Sequence, residues 1–345
     1  MNKKYVAVSI RERYLAYILD FVVVLSIGSV IAAGLGAGPV ASKVCNYYLF
    51  GEHKILKELS SKAGIKFLVT YFVFAFFYFL YEGYTGISVG KLVLRMRTGI
   101  AGDEKRHKRC IIRAFIKTLP PMLLADVLFA FKKRTKQRLS DRVLNFLVVR
   151  EKGVRIKWWN YLVYTMILYY LPLVSTVIIA YFAPWERITS PPAPGNMGDV
   201  TGSETQFNFI FMNNMSIDYQ YYILGGFMLF FNTLIQIFGG ALMTGKILGD
   251  SLLTHPSFVV YGILPHFFIE TTGYVFGLMS GAYITLLLLS LVEGYFERKD
   301  ARYVGDTILW HLKRVIMYAM ISIILLIVGA YVETYGTSYL LSHFY

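Results

Sequence analysis

Residues Gly262–Gly281, GILPHFFIETTGYVFGLMSG, set a proline, a histidine and a carboxylate inside a long apolar run. Ionisable side chains are costly in lipid, and those that persist there face the protein interior or a water-filled cavity. Pro265 is placed to open a helix at its first turn, so His266 and Glu270, four residues apart, share one face. Gly273, Gly277 and Gly281 recur every four residues, a spacing that lets a neighbouring helix approach closely. The run from Ser257 to Phe296 has about twice the ~20 residues that one crossing needs, and it ends in the basic ERKDAR, Glu297–Arg302. A chain that enters and leaves on one side crosses twice or re-enters. The stretch is therefore predicted to form a short hairpin of broken helices that keeps the His266–Glu270 couple deep in lipid.

The rest of the chain agrees with a membrane setting. Of its 345 residues 56% are hydrophobic and 17% aromatic, with a mean hydropathy of +0.52, which excludes an ordinary soluble protein. The net charge of +14 is concentrated in two segments that abut apolar runs and carry no nucleic-acid-binding pattern. It is read as the cytoplasmic bias of basic loops, with no nucleic acid as partner. Lys91–Lys117 holds nine Lys and Arg against Asp103 and Glu104, and Lys132–Lys157 holds ten against Asp141 and Glu151, so both belong inside. Between them Ile111–Phe131, broken by Pro120 and Pro121 and carrying Asp126, is expected to lie in the interface or re-enter without crossing.

Spanning helices are predicted at Tyr14–Gly38, behind Arg11 and Arg13, at Ile65–Tyr81, and at Trp158–Trp185 with Pro172 as a kink point. A fourth runs from Tyr222 to Gly245 and ends at Lys246 in the cytoplasm; the last runs from Val315 to about Tyr335. The fold class is all-α, a polytopic transmembrane helical bundle of about six to seven spans with a broken-helix hairpin and an interfacial or re-entrant segment. Its place is the cell membrane of a prokaryote, multi-pass, with the N-terminus cytoplasmic and the C-terminus external. This topology puts Cys45 and Cys110 on opposite sides, too far apart to pair. The external loop contains Asn214-Met215-Ser216, which fits a glycosylation triplet.

Two resemblances divide the chain into a 1–156 and a 157–345 domain. The first half resembles the RDD family of membrane proteins. RERYLAYILD supplies Arg13, Ala16 and Asp20; GYTGISVGKLVLRMRT supplies Thr85, Gly86, Gly90 and Lys91; LSDRVLNFLVV supplies Asp141 and Arg142. The second half is similar to the stage II sporulation protein M family, through Asn214, Gly226, Asn232, Thr233 and Gly240, and through PHFFIE with Pro265, His266 and Glu270. Phe267 stands where that motif usually has glycine. The first resemblance implies a link to sodium/proton exchange and solute transport. The second implies a membrane partner of cell-wall remodelling complexes.

His266 and Glu270, with Asn214 and Asn232, form the candidate polar site within the membrane. A His–carboxylate couple suits proton transfer, coordination of a divalent metal once a third ligand such as His255, Asp250 or Glu293 joins, or a hydrogen bond that only locks the helices. Arg13, Asp20, Lys91, Asp126, Asp141 and Arg142 form a second set. It is either a charge network at the cytoplasmic mouth or an ion-pair cluster that fixes packing. The expected function is a small-cation or solute transporter with proton coupling. The alternatives are a non-catalytic scaffold that binds envelope or cell-wall remodelling partners, and a metal-dependent intramembrane enzyme. HExxH and the Walker loop are both missing, which weighs against an enzyme. Lipid is the obligatory partner, and the small-residue faces at Gly239, Gly240 and Gly273–Gly281 suit a homodimer.

Overall fold

The structure, a computed structural model, describes residues 5–38, 40, 55–100, 106–119, 141, 143–144, 146–182 and 204–344. It is an all-α membrane bundle. Helix α1, Ile10–Ala32, starts where Ser9 accepts the Glu12 amide at 3.4 Å, and α2, Lys62–Thr85, starts where Ser61 accepts the Gly64 amide at 3.0 Å. A short helix, α3 at Val89–Val93, leads to α4, Arg106–Thr118, which packs on α2 where Gly83 meets Cys110. Then come α5, Trp158–Phe182, with Pro172 inside it; α6, Glu204–Ile217; α7, Phe231–Thr254; α8, Leu264–Phe296; and α9, Ala301–Tyr331.

Five stretches among the described residues are long and apolar enough to cross a membrane: Ile10–Ala37, Lys62–Thr85, Trp158–Phe182, Pro256–Phe296 and Ala301–His343. Their outer faces carry large apolar side chains at helical spacing, such as Ile65, Val69, Phe72 and Phe77 on α2 and Ile316, Met320, Ile324 and Ile327 on α9. Exposed stripes of this kind are what lipid covers. The core is continuous across both halves: Leu15 and Leu19 of α1 pack in one cluster with Tyr164 and Leu168 of α5, Phe230, and Leu278 and Tyr283 of α8.

The predicted hairpin at PHFFIE is corrected. Pro265 does open α8 at its first turn, but α8 then runs unbroken for 33 residues, about 50 Å. The glycines do not break it, because their bare faces are filled by neighbours. Gly273 lies against Leu326, Gly277 against the Asp218 carboxylate, and Gly281 against the Tyr222 carbonyl. Of the small-residue positions behind the homodimer expectation, Gly273, Gly277 and Gly281 are thus covered within the chain, whereas a Cβ at Gly240 would meet nothing within 4 Å.

The reversal lies elsewhere. After α6 the chain continues through a π turn, Asp218–Ile223, and a 3-10 turn, Leu224–Met228, and then breaks at Leu229 and Phe230, both left-handed with φ of 49° and 65°. The Thr233 hydroxyl bonds the Tyr221 carbonyl at 2.6 Å, so α7 folds back along the segment before it. Tyr14 of α1 holds the turn by donating to the Leu229 carbonyl at 2.7 Å. The expected fourth span, Tyr222–Gly245, is therefore split eight residues in. Its second arm runs parallel to α5, with Gly245 beside Thr176 and Gly249 beside Ala180. Lys246 consequently lies toward the end of the bundle away from Arg11, not with it as expected; one lysine is a weak topological signal beside a tight turn.

A three-stranded antiparallel sheet, unanticipated, caps the Arg11 end. The strands are β1, Tyr5–Ala7, β2, Arg97–Ile100, and β3, Phe146–Glu151, in the order β1-β3-β2. In β3 Phe146 and Val148 are buried and alternate with less buried neighbours, the period-2 pattern of a strand. Of the expected interfacial segment Ile111–Phe131, the part from Ile111 to Leu119 is described. Its helix, α4, exposes Ile111, Ile112 and Phe115 and turns Arg113 and Lys117 inward.

Gly90 shows how tightly α3 seats on α1: a Cβ there would overlap the Ala16 backbone. Gly90→Ala should destabilise by about 1–3 kcal/mol or more, because backbone cannot swing aside as a side chain does. Thermal unfolding in detergent tests this, and an unchanged midpoint would refute the packing.

Candidate functional site

Two polar clusters sit inside the bundle. The first lies at the end where α1 begins. Glu82, fully buried in the last turn of α2, receives Lys117 Nζ at 2.6 Å, Arg113 Nη1 at 2.9 Å and the Lys91 ammonium. Arg113 bridges onward through Nε to Asp141 Oδ1 at 3.0 Å, and Arg13 binds the other oxygen of Asp141. Asp20 is held separately by neutral donors: Tyr78 Oη and the Gly90 amide, both at 2.8 Å, and Ser88 Oγ at 2.7 Å. Burial, with Lys117 and Arg113 close by, pushes the Lys91 ammonium well below the usual lysine range. Burial also pushes the Cys110 thiol up, away from thiolate reactivity.

The structure thus brings together Arg13, Lys91 and Asp141 and gives Asp20 its own cage; Asp126 and Arg142 lie outside the described residues. Sequence reading missed Glu82, Arg113 and Lys117. The four-residue spacing of Arg113 and Lys117 within IIRAFIKT was the available signal, because it sets both cations on one face of a helix otherwise apolar there.

The second cluster lies at the other end of α8. His266 and Glu270 face Glu333 and Thr337, themselves four apart, in the π turn Val332–Thr337 that follows α9. One ligand atom each from His266, Glu270 and Glu333 lies within 4.8 Å of the others. His266 Nδ1 is 3.1 Å from Thr337 Oγ1, and Asn214 Nδ2 of α6 donates to Glu270 Oε1 at 2.6 Å. Gly329 makes the approach possible, since a Cβ there would overlap Glu270 Cγ. Asn214, 8% exposed and committed to Glu270, does not face outward as a glycosylation acceptor would. Asn232 is not part of this cluster; it stands at the opposite end, beside the Leu229–Phe230 turn.

The two family matches each cover more than half of the chain: the RDD family model over residues 7–189, and the stage II sporulation protein M model over residues 163–338. The chain belongs to both families. No curated protein and no solved structure matches it. The Glu82 cluster falls in the RDD match and the His266 cluster in the sporulation protein M match. The two matches overlap on 163–189, most of it α5, the helix that packs on both α1 and α7.

Within the sporulation protein M portion, the group found beside His266 and Glu270 is none of the candidates His255, Asp250 and Glu293. Glu293 is spent on Arg11, at 3.4 Å on the opposite end of α8; Glu333 takes the place. Its signal was a carboxylate inside the final apolar span, the same anomaly that marked Glu270. Asp218 was missed as well. It is fully buried about two turns from Glu270, with Oδ2 2.8 Å from Ser322 Oγ and Oδ1 against Gly277.

Proposed function

We propose that this integral membrane protein carries a small cation or solute across the membrane with proton coupling. The observation behind the reading is that α8 meets buried or half-buried polar groups at three levels. His266, Glu270, Glu333 and Asn214 form one, Asp218 and Ser322 the next, and Glu293, Ser290 and Arg11 the third. From Glu270 to Glu293 the rise is about 35 Å, close to the hydrocarbon thickness of a bilayer. Polar groups held at both faces and the middle of one buried helix suit a stepwise pathway. A cleft of about 400 Å³ lined by Arg11, Glu12, Tyr161, Asp306 and His311 opens at the third level. With the N-terminus cytoplasmic, the His266 cluster faces the outer leaflet as the capture site, and the coupling proton is assigned to Asp218.

Flux into proteoliposomes across a panel of cations and solutes is the test. Glu270→Gln should lower the transported flux at least tenfold, while unchanged flux in a folded variant would end the capture-site assignment. A second reading, a scaffold for envelope proteins, is favoured by the close seating of Gly226, Gly277 and Gly281 against their neighbours, which suits a rigid bundle. No flux across the whole panel, together with copurification of a cell-wall remodelling protein, would select it.

A further inference from the structure

The His266 cluster has the composition and the support of a metal site. Glu270 and Glu333 bring two carboxylates together, and among the described residues no Lys or Arg pairs with either. Two carboxyl groups so placed either share a proton or hold a cation between them. Both non-ligating positions are already held. His266 Nδ1 lies 3.1 Å from Thr337 Oγ1, and with the proton on that nitrogen Nε2 carries the lone pair; Asn214 donates to Oε1 of Glu270, whose carboxyl group also meets that of Glu333. Hydrogen bonds of this kind fix ligand orientation around bound metals.

We propose that His266, Glu270 and Glu333 bind one first-row divalent transition-metal ion, through one imidazole nitrogen and two carboxylate oxygens. Imidazole selects zinc, iron or cobalt over magnesium and calcium, which prefer oxygen alone. The ligand atoms lie within 4.8 Å of one another, against about 3.4 Å between neighbouring ligands of a tetrahedral zinc with bonds near 2.1 Å. Side-chain rotations of the two glutamates close that difference. Three protein ligands leave at least one position open to water, which suits reversible capture. This assignment deepens the transport reading by naming its cargo as a divalent metal ion.

The full chain, purified in detergent and stripped with EDTA, would be titrated with Co2+ and followed by its visible d–d absorption. One saturable Co2+ per chain is expected, displaced by Zn2+ and not by millimolar Mg2+, and lost in His266→Ala and in Glu333→Gln. Thr337→Val keeps all three ligands and should weaken binding by roughly 10–100-fold. Affinity unchanged in Thr337→Val, or non-saturable Co2+ uptake by the wild-type chain, would overturn the site even where His266→Ala fails to fold. Stoichiometric Co2+ binding without any flux would overturn transport and leave the site standing. Flux of a monovalent ion or neutral solute without Co2+ binding would overturn the metal and leave transport standing.

Discussion

Glu82→Gln should be the most damaging single substitution in the chain, with a loss on the order of 3–5 kcal/mol. Glu82 is fully buried, and its two oxygens serve Lys91, Arg113 and Lys117, with Thr98 donating to Oε1 at 3.2 Å. Removing the anion leaves the Lys91 and Lys117 cations facing Arg113, which keeps its bond to Asp141, and the amide that replaces it adds two more N–H donors to a site crowded with donors. Lys117→Met should cost less, because Arg113 and Lys91 still satisfy the carboxylate. Unfolding followed by intrinsic fluorescence in detergent would read the difference. Glu82→Gln is expected to lower the midpoint by on the order of 10 °C or to yield no monodisperse protein. A midpoint within about 2 °C of wild type would show that the cluster is hydrated rather than a dry ion network.

What the sequence made legible follows from which forces act locally. Apolar runs of about 20 residues announce crossings whatever their surroundings, so α1, α2, α5 and α9 lie where hydropathy predicts them, with shifted ends. The π turn of Val332–Thr337 and the left-handed pair Leu229–Phe230 leave no such mark, since neither is a Gly–Pro signal. Two bulky apolar residues at positive φ are paid for by tertiary contacts, among them the hydrogen bond from Tyr14, 215 positions away in the chain. The doubled length of Ser257–Phe296 suggests two crossings or a re-entrant hairpin, yet one helix longer than the bilayer satisfies the same length. At the sites, His266, Glu270 and Asn214 were visible because ionisable or amide groups stood out against apolar neighbours. Glu333 and Asp218 were passed over as parts of a span and a loop, although the same criterion applied to both.

Asp218→Asn should leave the bundle standing and abolish the pH dependence of flux. Ser322 Oγ lies 2.8 Å from Asp218 Oδ2 and 2.8 Å from the Gly273 carbonyl, which can only accept. A hydroxyl has one proton, so if Ser322 gives it to Gly273, the proton between Asp218 and Ser322 belongs to Asp218. Among the described residues Oδ1 has no hydrogen-bond partner. An ionised carboxylate here would be desolvated with no cation beside it, whereas a neutral acid completes the chain from Asp218 through Ser322 to Gly273. Its titratable neighbours are the phenols of Tyr222 and Tyr274, and Tyr274 also lies close to Glu270 and Glu333, which links this level to the His266 cluster. Asparagine reproduces the neutral acid in shape and donates to Ser322 in its place, so the stability change should stay within about 1 kcal/mol. Infrared spectroscopy should show a carboxylic-acid C=O band in wild type that Asp218→Asn lacks, and flux should become flat against pH in that variant. A missing band, or a pH profile that survives the substitution, would place the coupling proton on another group.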